Sequence, residues 1–186
     1  MLMENKKNYF REIVESIRKF VRYYWIDYLY LVIGAVVLIS LDQWTKSLVR
    51  GNMQIGEDWL PANISWLLPY ARIRYWFNTG AAFGLFQGGS TIFTILAFIV
   101  GGFILYYFPQ VPRKDKWLRI ALILQFSGAI GNLVDRLRFN GKVTDFISVG
   151  NFAIFNLADS CITVGTILLI LGVYFTEKAD KNIQAV

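Results

Sequence analysis

The run Trp117-Leu-Arg-Ile-Ala-Leu-Ile-Leu-Gln-Phe-Ser-Gly-Ala-Ile-Gly-Asn-Leu-Val134 is long and apolar, and it closes on Asn132-Leu-Val-Asp135. The next apolar run, Phe155 to Phe175, opens on Asn156-Leu-Ala-Asp159. One Asn-x-x-Asp pattern thus ends one run and begins the next. A charged carboxylate costs about 2.5–3.5 kcal/mol at mid-membrane even on a lenient insertion scale, so two such acids call for an explanation. Consecutive spanning helices reverse direction, which puts the end of one and the start of the next on the same side. The two aspartates can therefore meet.

Working outward, hydrophobic residues make up 55% of the 186, and two further runs, Trp25 to Leu41 and Thr91 to Phe108, complete a set of four. Runs of 17 to 21 residues, rising about 1.5 Å per residue, match a hydrocarbon core about 30 Å thick. Core helices of a soluble domain would carry a polar face, yet the second run has no charged residue at all. The expected fold class is an all-α polytopic membrane protein with four transmembrane helices. Three parts are expected: a leader at 1–24, a four-helix domain at 25–175 including an outer loop at 46–90, and a tail at 176–186.

Lysine and arginine set the expected orientation. Six precede Trp25, three lie between Pro109 and Lys116, and two follow Phe175, whereas the longer segments 46–90 and 136–154 carry seven between them. The positive-inside rule makes both termini cytoplasmic and both longer segments extracytoplasmic. The net charge of +6 then reads as a topology and anionic-lipid signal, and nothing suggests nucleic acid. The first run ends in Ile39-Ser-Leu-Asp-Gln43 without a small-x-small cleavage site, so it reads as a retained helix. Ahead of it, Phe10, Ile13, Ile17, Phe20 and Val21 are spaced for an amphipathic helix lying on the cytoplasmic membrane surface.

One cysteine and no histidine exclude an internal disulfide, a His-based triad and the usual His- or Cys-rich metal sites. No metal and no cofactor is expected, and Cys161 suits a small packing role. Chemistry must rest on carboxylates, amides, hydroxyls or lysines. These collect toward one face: Asp42 closes the first run, Asn78 and Asp145 lie in the outer segments, and the two Asn-x-x-Asp strings flank the last turn of the membrane path. Gly128, Asn132 and Asp135 share one helical stripe, and Asn156, Asp159 and Thr163 another. Two carboxylates within hydrogen-bond reach do not both ionise, which supplies an acid and a base together, the arrangement of soluble aspartic proteases. A water-activating peptidase follows. In the outer loop, Ala71-Arg-Ile-Arg-Tyr-Trp-Phe77 reads as a strand with Ile73, Tyr75 and Phe77 on one side, and Asn78-Thr-Gly-Ala-Ala-Phe-Gly84 as a turn and a short apolar helix. A small extracytoplasmic β-sheet and short surface helix would cover the site.

Taken in order, Asp42-Gln-Trp-Thr-Lys46, Asn78-Thr-Gly-Ala-Ala-Phe-Gly84, Gly128-Ala-Ile-Gly-Asn-Leu-Val-Asp-Arg-Leu137, Val143-Thr-Asp-Phe-Ile147 and Phe155-Asn-Leu-Ala-Asp-Ser160 resemble signal peptidase II, the bacterial lipoprotein signal peptidase. The resemblance implies an intramembrane aspartic endopeptidase of the bacterial inner (cytoplasmic) membrane. Such an enzyme removes the signal peptide from diacylglyceryl-modified prolipoproteins, cutting before the lipidated cysteine. It further implies that Asp135 and Asp159 are the catalytic pair, that Asp42, Asn78, Gly80, Asn132, Arg136, Asp145 and Asn156 support the site or the substrate, and that globomycin blocks it. Membrane lipids are expected partners, and nothing demands more than a monomer. The rival readings are a small four-helix transporter using membrane carboxylates and a non-catalytic assembly factor. A transporter predicts acids near mid-membrane and duplicated halves, whereas here the acids cluster at one face and the halves differ.

Overall fold

No proline or glycine stands between Met1 and Gly34, and one unbroken helix, α1 (Leu2–Asn52), runs through the expected boundary at Trp25. The computed structural model describes the backbone of residues 2–80 and 88–184, and the side chains of 11–16, 18, 19, 22–80 and 88–175. The leader is therefore helical and continuous with the first span, since no proline or glycine interrupts the hydrogen-bond ladder at that boundary. Three more helices follow, α2 (Ser90–Tyr107), α3 (Lys116–Arg138) and α4 (Leu157–Gln184). Among the described residues, four stretches are long and apolar enough to cross a membrane, Arg22–Asn52, Ser90–Gln110, Lys116–Arg138 and Leu157–Phe175, one for each expected run.

Burial separates their roles. In α3, 56% of the apolar window is inside the protein, against 17–22% in the other three, so α3 is the central post. Leu31, Ile104, Phe108, Leu122 and Ile123 join α1, α2 and α3 in one core, while Val32, Ile33, Val36, Ile95, Phe98, Ile99, Ile167 and Ile170 face outward. Outward apolar faces suit a lipid solvent, because the helices already satisfy their own backbone groups. The helix α4 packs closest. A Cβ on Gly128 would collide with the carbonyl oxygen of Ala158 and stand 2.6 Å from Ile162 Cγ1, so glycine is what admits the first turn of α4 against α3.

A three-stranded antiparallel sheet, β1 (Asp58–Trp59), β2 (Ala71–Asn78) and β3 (Val143–Val149), caps one end of the bundle in the order β1-β2-β3. As the alternation predicts, Ile73, Tyr75 and Phe77 pack together, against Val49 of α1, Met53 just beyond it, and Phe146 and Ile147 of β3. The strand β3 is a correction to the outer loop expected at 136–154. Asn140 and Gly141 both take positive φ, 51° and 85°, a pair that reverses the chain directly after α3. A Cβ on Gly141 would lie 2.5 Å from Ser90 Oγ. The short apolar helix expected after Asn78 falls on residues 81–87, outside the described residues.

The opposite end holds a network that sequence reading missed. Asp27, 3% exposed, accepts two bonds from Arg113 at 3.1 and 2.9 Å and one from Arg119 at 2.8 Å. Arg119 also donates to the Val111 carbonyl and lies 4.3 Å from the Phe108 ring centroid. The α2–α3 turn is thereby pinned to α1. Lying two residues inside its run, Asp27 was masked by the aromatic and basic residues around it.

Candidate active site

The acids at the sheet end divide into two groups by what holds them. Asp42 and Asp135, 1% and 0% exposed, are held by cations. Lys46 Nζ lies 2.8 Å from Asp42 Oδ2 and 3.5 Å from Asp135 Oδ2, and Arg50 Nη1 lies 3.6 Å from Asp135 Oδ1. Asp135 also accepts from Gln43 Nε2 at 3.0 Å and from the Thr144 backbone N–H at 2.9 Å, and Asp42 accepts from the Ala158 N–H at 2.9 Å. Two acids and two cations cancel. These contacts tie α1 to α3, β3 and the start of α4.

Asp145 and Asp159 are held by amides. Asp145 accepts from Asn156 Nδ2 at 2.7 Å and Asn78 Nδ2 at 3.1 Å, and Asp159 accepts from Asn132 Nδ2 at 2.7 Å and the Asn156 backbone N–H at 3.1 Å. Asn156 touches both acids. Each amide is keyed on its oxygen side, which decides that its N–H₂ faces an acid: Asn78 Oδ1 accepts from the Gly80 N–H, Asn156 Oδ1 from the Asp159 N–H, and Asn132 Oδ1 from Lys46 Nζ and Asn156 Nδ2. The Asn156–Asp159 exchange is a capping box at the start of α4. Asp159 uses Oδ2 for this cap, which leaves Oδ1 for Asn132.

Burial is the main cause that pushes the Asp145 carboxyl up to about 7, with the charge on Asp159 next and the two amide bonds opposing. A carboxyl poised near neutrality, beside a second carboxyl, is the arrangement that shares one proton. Both acids line a cavity of about 660 Å³ that runs from Asn78, Gly80, Asn132 and Arg136 down between α2 and α4. Its deeper wall is apolar, with Phe93, Leu96 and Val100 on one side and Ile162 and Val164 on the other. The Arg136 guanidinium, at the cavity wall, lies 5.3 Å from the Phe93 ring centroid, and its Nε has no hydrogen-bond partner among the described residues.

The structure gathers every residue singled out from the sequence, Asp42, Asn78, Gly80, Asn132, Asp135, Arg136, Asp145, Asn156 and Asp159, at this one end. It does not pair them as expected. Asp135 is fully buried against Lys46, Arg50, Gln43 and Thr144 and is absent from the cavity wall, so the acid that lines the cavity together with Asp159 is Asp145. The helical spacing that put Asp135 and Asn132 on one stripe is real, but the stripe faces two ways: Asn132 reaches the cavity and Asp135 reaches α1. Asn140-Gly141 followed by the β-branched and aromatic residues of Val143-Thr-Asp-Phe-Ile147 is the signal that would have placed Asp145 on a strand leading back over the site. Gln43 and Lys46 stand in the string Asp42-Gln-Trp-Thr-Lys46 but no role was drawn from them, and Arg50 carried no signal.

A family model described as Signal peptidase (SPase) II matches residues 34–175. The chain is 40% identical over 151 residues to a lipoprotein signal peptidase of Shouchella clausii, covering 81% of this chain and 96% of that one. It is 40% identical over 156 residues to the lipoprotein signal peptidase of Halalkalibacterium halodurans, covering 81% and 95%, and 36% identical over 150 residues to that of Streptococcus pyogenes, covering 78% and 93%. Among solved structures it is similar to a bacterial membrane enzyme determined by the in meso method at 2.3 Å resolution, with a TM-score of 0.72 and 31% identity over 82% of this chain and 91% of that one. A second such structure, at 1.9 Å resolution, gives a TM-score of 0.67 and 32% identity.

Proposed function

The chain belongs to the signal peptidase II family, and from that premise we propose that Asp145 and Asp159 are the groups that cut the peptide bond. It is a multi-pass membrane aspartic endopeptidase that removes the signal peptide from prolipoproteins. The observation that carries the pairing is the shared cavity: both acids line it, both are held by oriented amides, and Asn156 bridges them. The ionised member takes a proton from water as that water attacks the scissile carbonyl carbon, and the protonated member gives its proton to the carbonyl oxygen. In the collapse, the amide nitrogen leaves with the proton gained by the first acid, while the second acid takes a proton back from one hydroxyl of the gem-diol as the C=O bond reforms, so a carboxylic acid is released and both acids return to their starting states.

The substrate proposed is the diacylglyceryl-modified precursor, cut just before its lipidated cysteine. An apolar groove between α2 and α4, leading to two acids at one end, suits acyl chains and an apolar signal segment entering from the bilayer. Globomycin would compete for the same groove. We place this end on the outer face, with both termini in the cytoplasm, on the lysine and arginine distribution, and the working unit is one chain. Residues 25–175 form the peptidase proper, with 1–24 and 176–186 cytoplasmic. A transporter is not favoured. Incubating the purified full chain with a lipidated and an unlipidated precursor tests the reading: cleavage of the first alone is expected, and equal cleavage of both would overturn the lipid requirement.

A further inference from the structure

Of the three amides that face the acids, two are keyed by backbone N–H groups, and the third, Asn132, by a charge together with the Asn156 amide. Lys46 Nζ, in a side chain with 0% exposure, donates to Asn132 Oδ1 at 3.0 Å. An ammonium is donor only, so it fixes the Asn132 amide with its N–H₂ turned to Asp159 Oδ1, 2.7 Å away. A positive charge on the amide oxygen draws electron density from the nitrogen and strengthens the N–H as a donor, an effect that low local dielectric enhances.

We propose that Lys46 is a positioning residue that acts through Asn132 to make Asp159 the ionised member of the pair, leaving Asp145 to carry the shared proton. Asp159 then activates the water and Asp145 protonates the carbonyl. This deepens, and rests on, the assignment of Asp145 and Asp159 as the catalytic pair.

Simple neutralisation does not account for the contact. Asp42 and Asp135 already balance Lys46 and Arg50, and an ion pair between them needs no amide. Yet one of the three ammonium hydrogens goes to Asn132. The charged groups around this relay are Asp42 and Arg50 on α1, Asp135 and Arg136 on α3, Asp145 on β3 and Asp159 on α4. Asp145 fits the proton-carrying role, since burial and the charge on Asp159 hold its carboxyl near neutrality.

The test is the pH dependence of kcat/KM for the full chain in detergent, with a diacylglyceryl-modified precursor as substrate. Lys46→Met should move the acid limb up by about one pH unit, so that activity lost at low pH is partly recovered at higher pH. Because Lys46→Met alone leaves buried acids in excess and can fail to fold, Asp42→Asn combined with Lys46→Met keeps the cluster neutral, and the same upward shift is expected there. A lower rate with an unmoved limb in the folded double variant would overturn the role of Lys46. Asp145→Asn run alongside separates the two claims: inactivity there with an unmoved limb in the lysine variant overturns the lysine's role alone, whereas full turnover by Asp145→Asn overturns the pair and the inference with it.

Discussion

Asp27 at the α2–α3 turn and Asp145 at the sheet end are both buried acids, 3% and 1% exposed, and they are held in opposite ways. Asp27 meets two guanidinium groups in charge-assisted bonds. Asp145 meets two neutral amides and looks into a cavity beside a second acid. A buried acid matched by cations is locked in its ionised form and serves as a fastener. One held by oriented amides is fixed in place while its proton stays exchangeable, which is what acid–base chemistry needs. The contrast of partners recurs inside the site, where Asp42 and Asp135 lie against Lys46 and Arg50 while Asp145 and Asp159 accept from amides.

The sharpest way to break the comparison is to swap acids for amides at each place. Asp145→Asn and Asp159→Asn should each reduce cleavage of a lipidated precursor by about 10³–10⁴-fold with thermal unfolding little changed. The double variant should be scarcely worse, because the two act as a unit. Asp27→Asn should do the reverse. Removing one partner from a buried ion pair costs about 3–5 kcal/mol, so unfolding should come at lower temperature while kcat in the folded fraction holds. Asp135→Asn should resemble Asp27→Asn in its stability loss, since it removes the acid beside Arg50 and leaves Lys46 with Asp42 alone. Unimpaired stability together with abolished turnover in Asp135→Asn would move that residue into the reacting pair.

The four spans and the location of the site were legible because each leaves a local mark: apolar runs of membrane length, and polar residues clustered at one set of run ends. The strand face of Ile73, Tyr75 and Phe77 was legible for the same reason, as an alternation. The pairing of acids was not. Whether Asp135 or Asp145 meets Asp159 depends on a chain reversal at Asn140-Gly141 and on which way a helical stripe turns once α1 packs beside it, and neither is a property of a single segment. Lys46 and Arg50 were hidden in the same way: in sequence they are two positive residues past the end of a span, and only packing against α3 makes them the counter-charges of Asp135.

A pH series sharpens the contrast at intermediate size. The Asp145 carboxyl is held up to about 7, against an ordinary 3.8. Between about pH 4 and pH 7 the folded protein keeps a proton that the unfolded chain has lost, so this group's contribution to stability falls as pH rises through that window and levels off above it. Asp145→Asn should remove that slope. Turnover should decline above about pH 7 as the pair loses its shared proton. A slope unchanged by the substitution, measured by chemical unfolding across the series, would detach the proton from Asp145.

The smallest effect is expected at the sheet's exposed ion pair, and it marks where burial stops mattering. Asp58 accepts from Arg74 Nε at 2.6 Å and Nη2 at 3.1 Å, and Arg72 Nε lies 3.3 Å away. Geometrically this rivals the Asp27 network, yet the Asp58 and Arg74 side chains are 32% and 35% exposed. Water and salt therefore screen the attraction, and exposed pairs of this kind contribute less than about 1 kcal/mol. Asp58→Asn should leave cleavage at the parent rate and shift unfolding only slightly, with the difference shrinking further as salt is raised. A loss as large as that of Asp27→Asn would mean that the β1–β2 edge is buried against the membrane surface, where the same two arginines would lack water to replace their carboxylate.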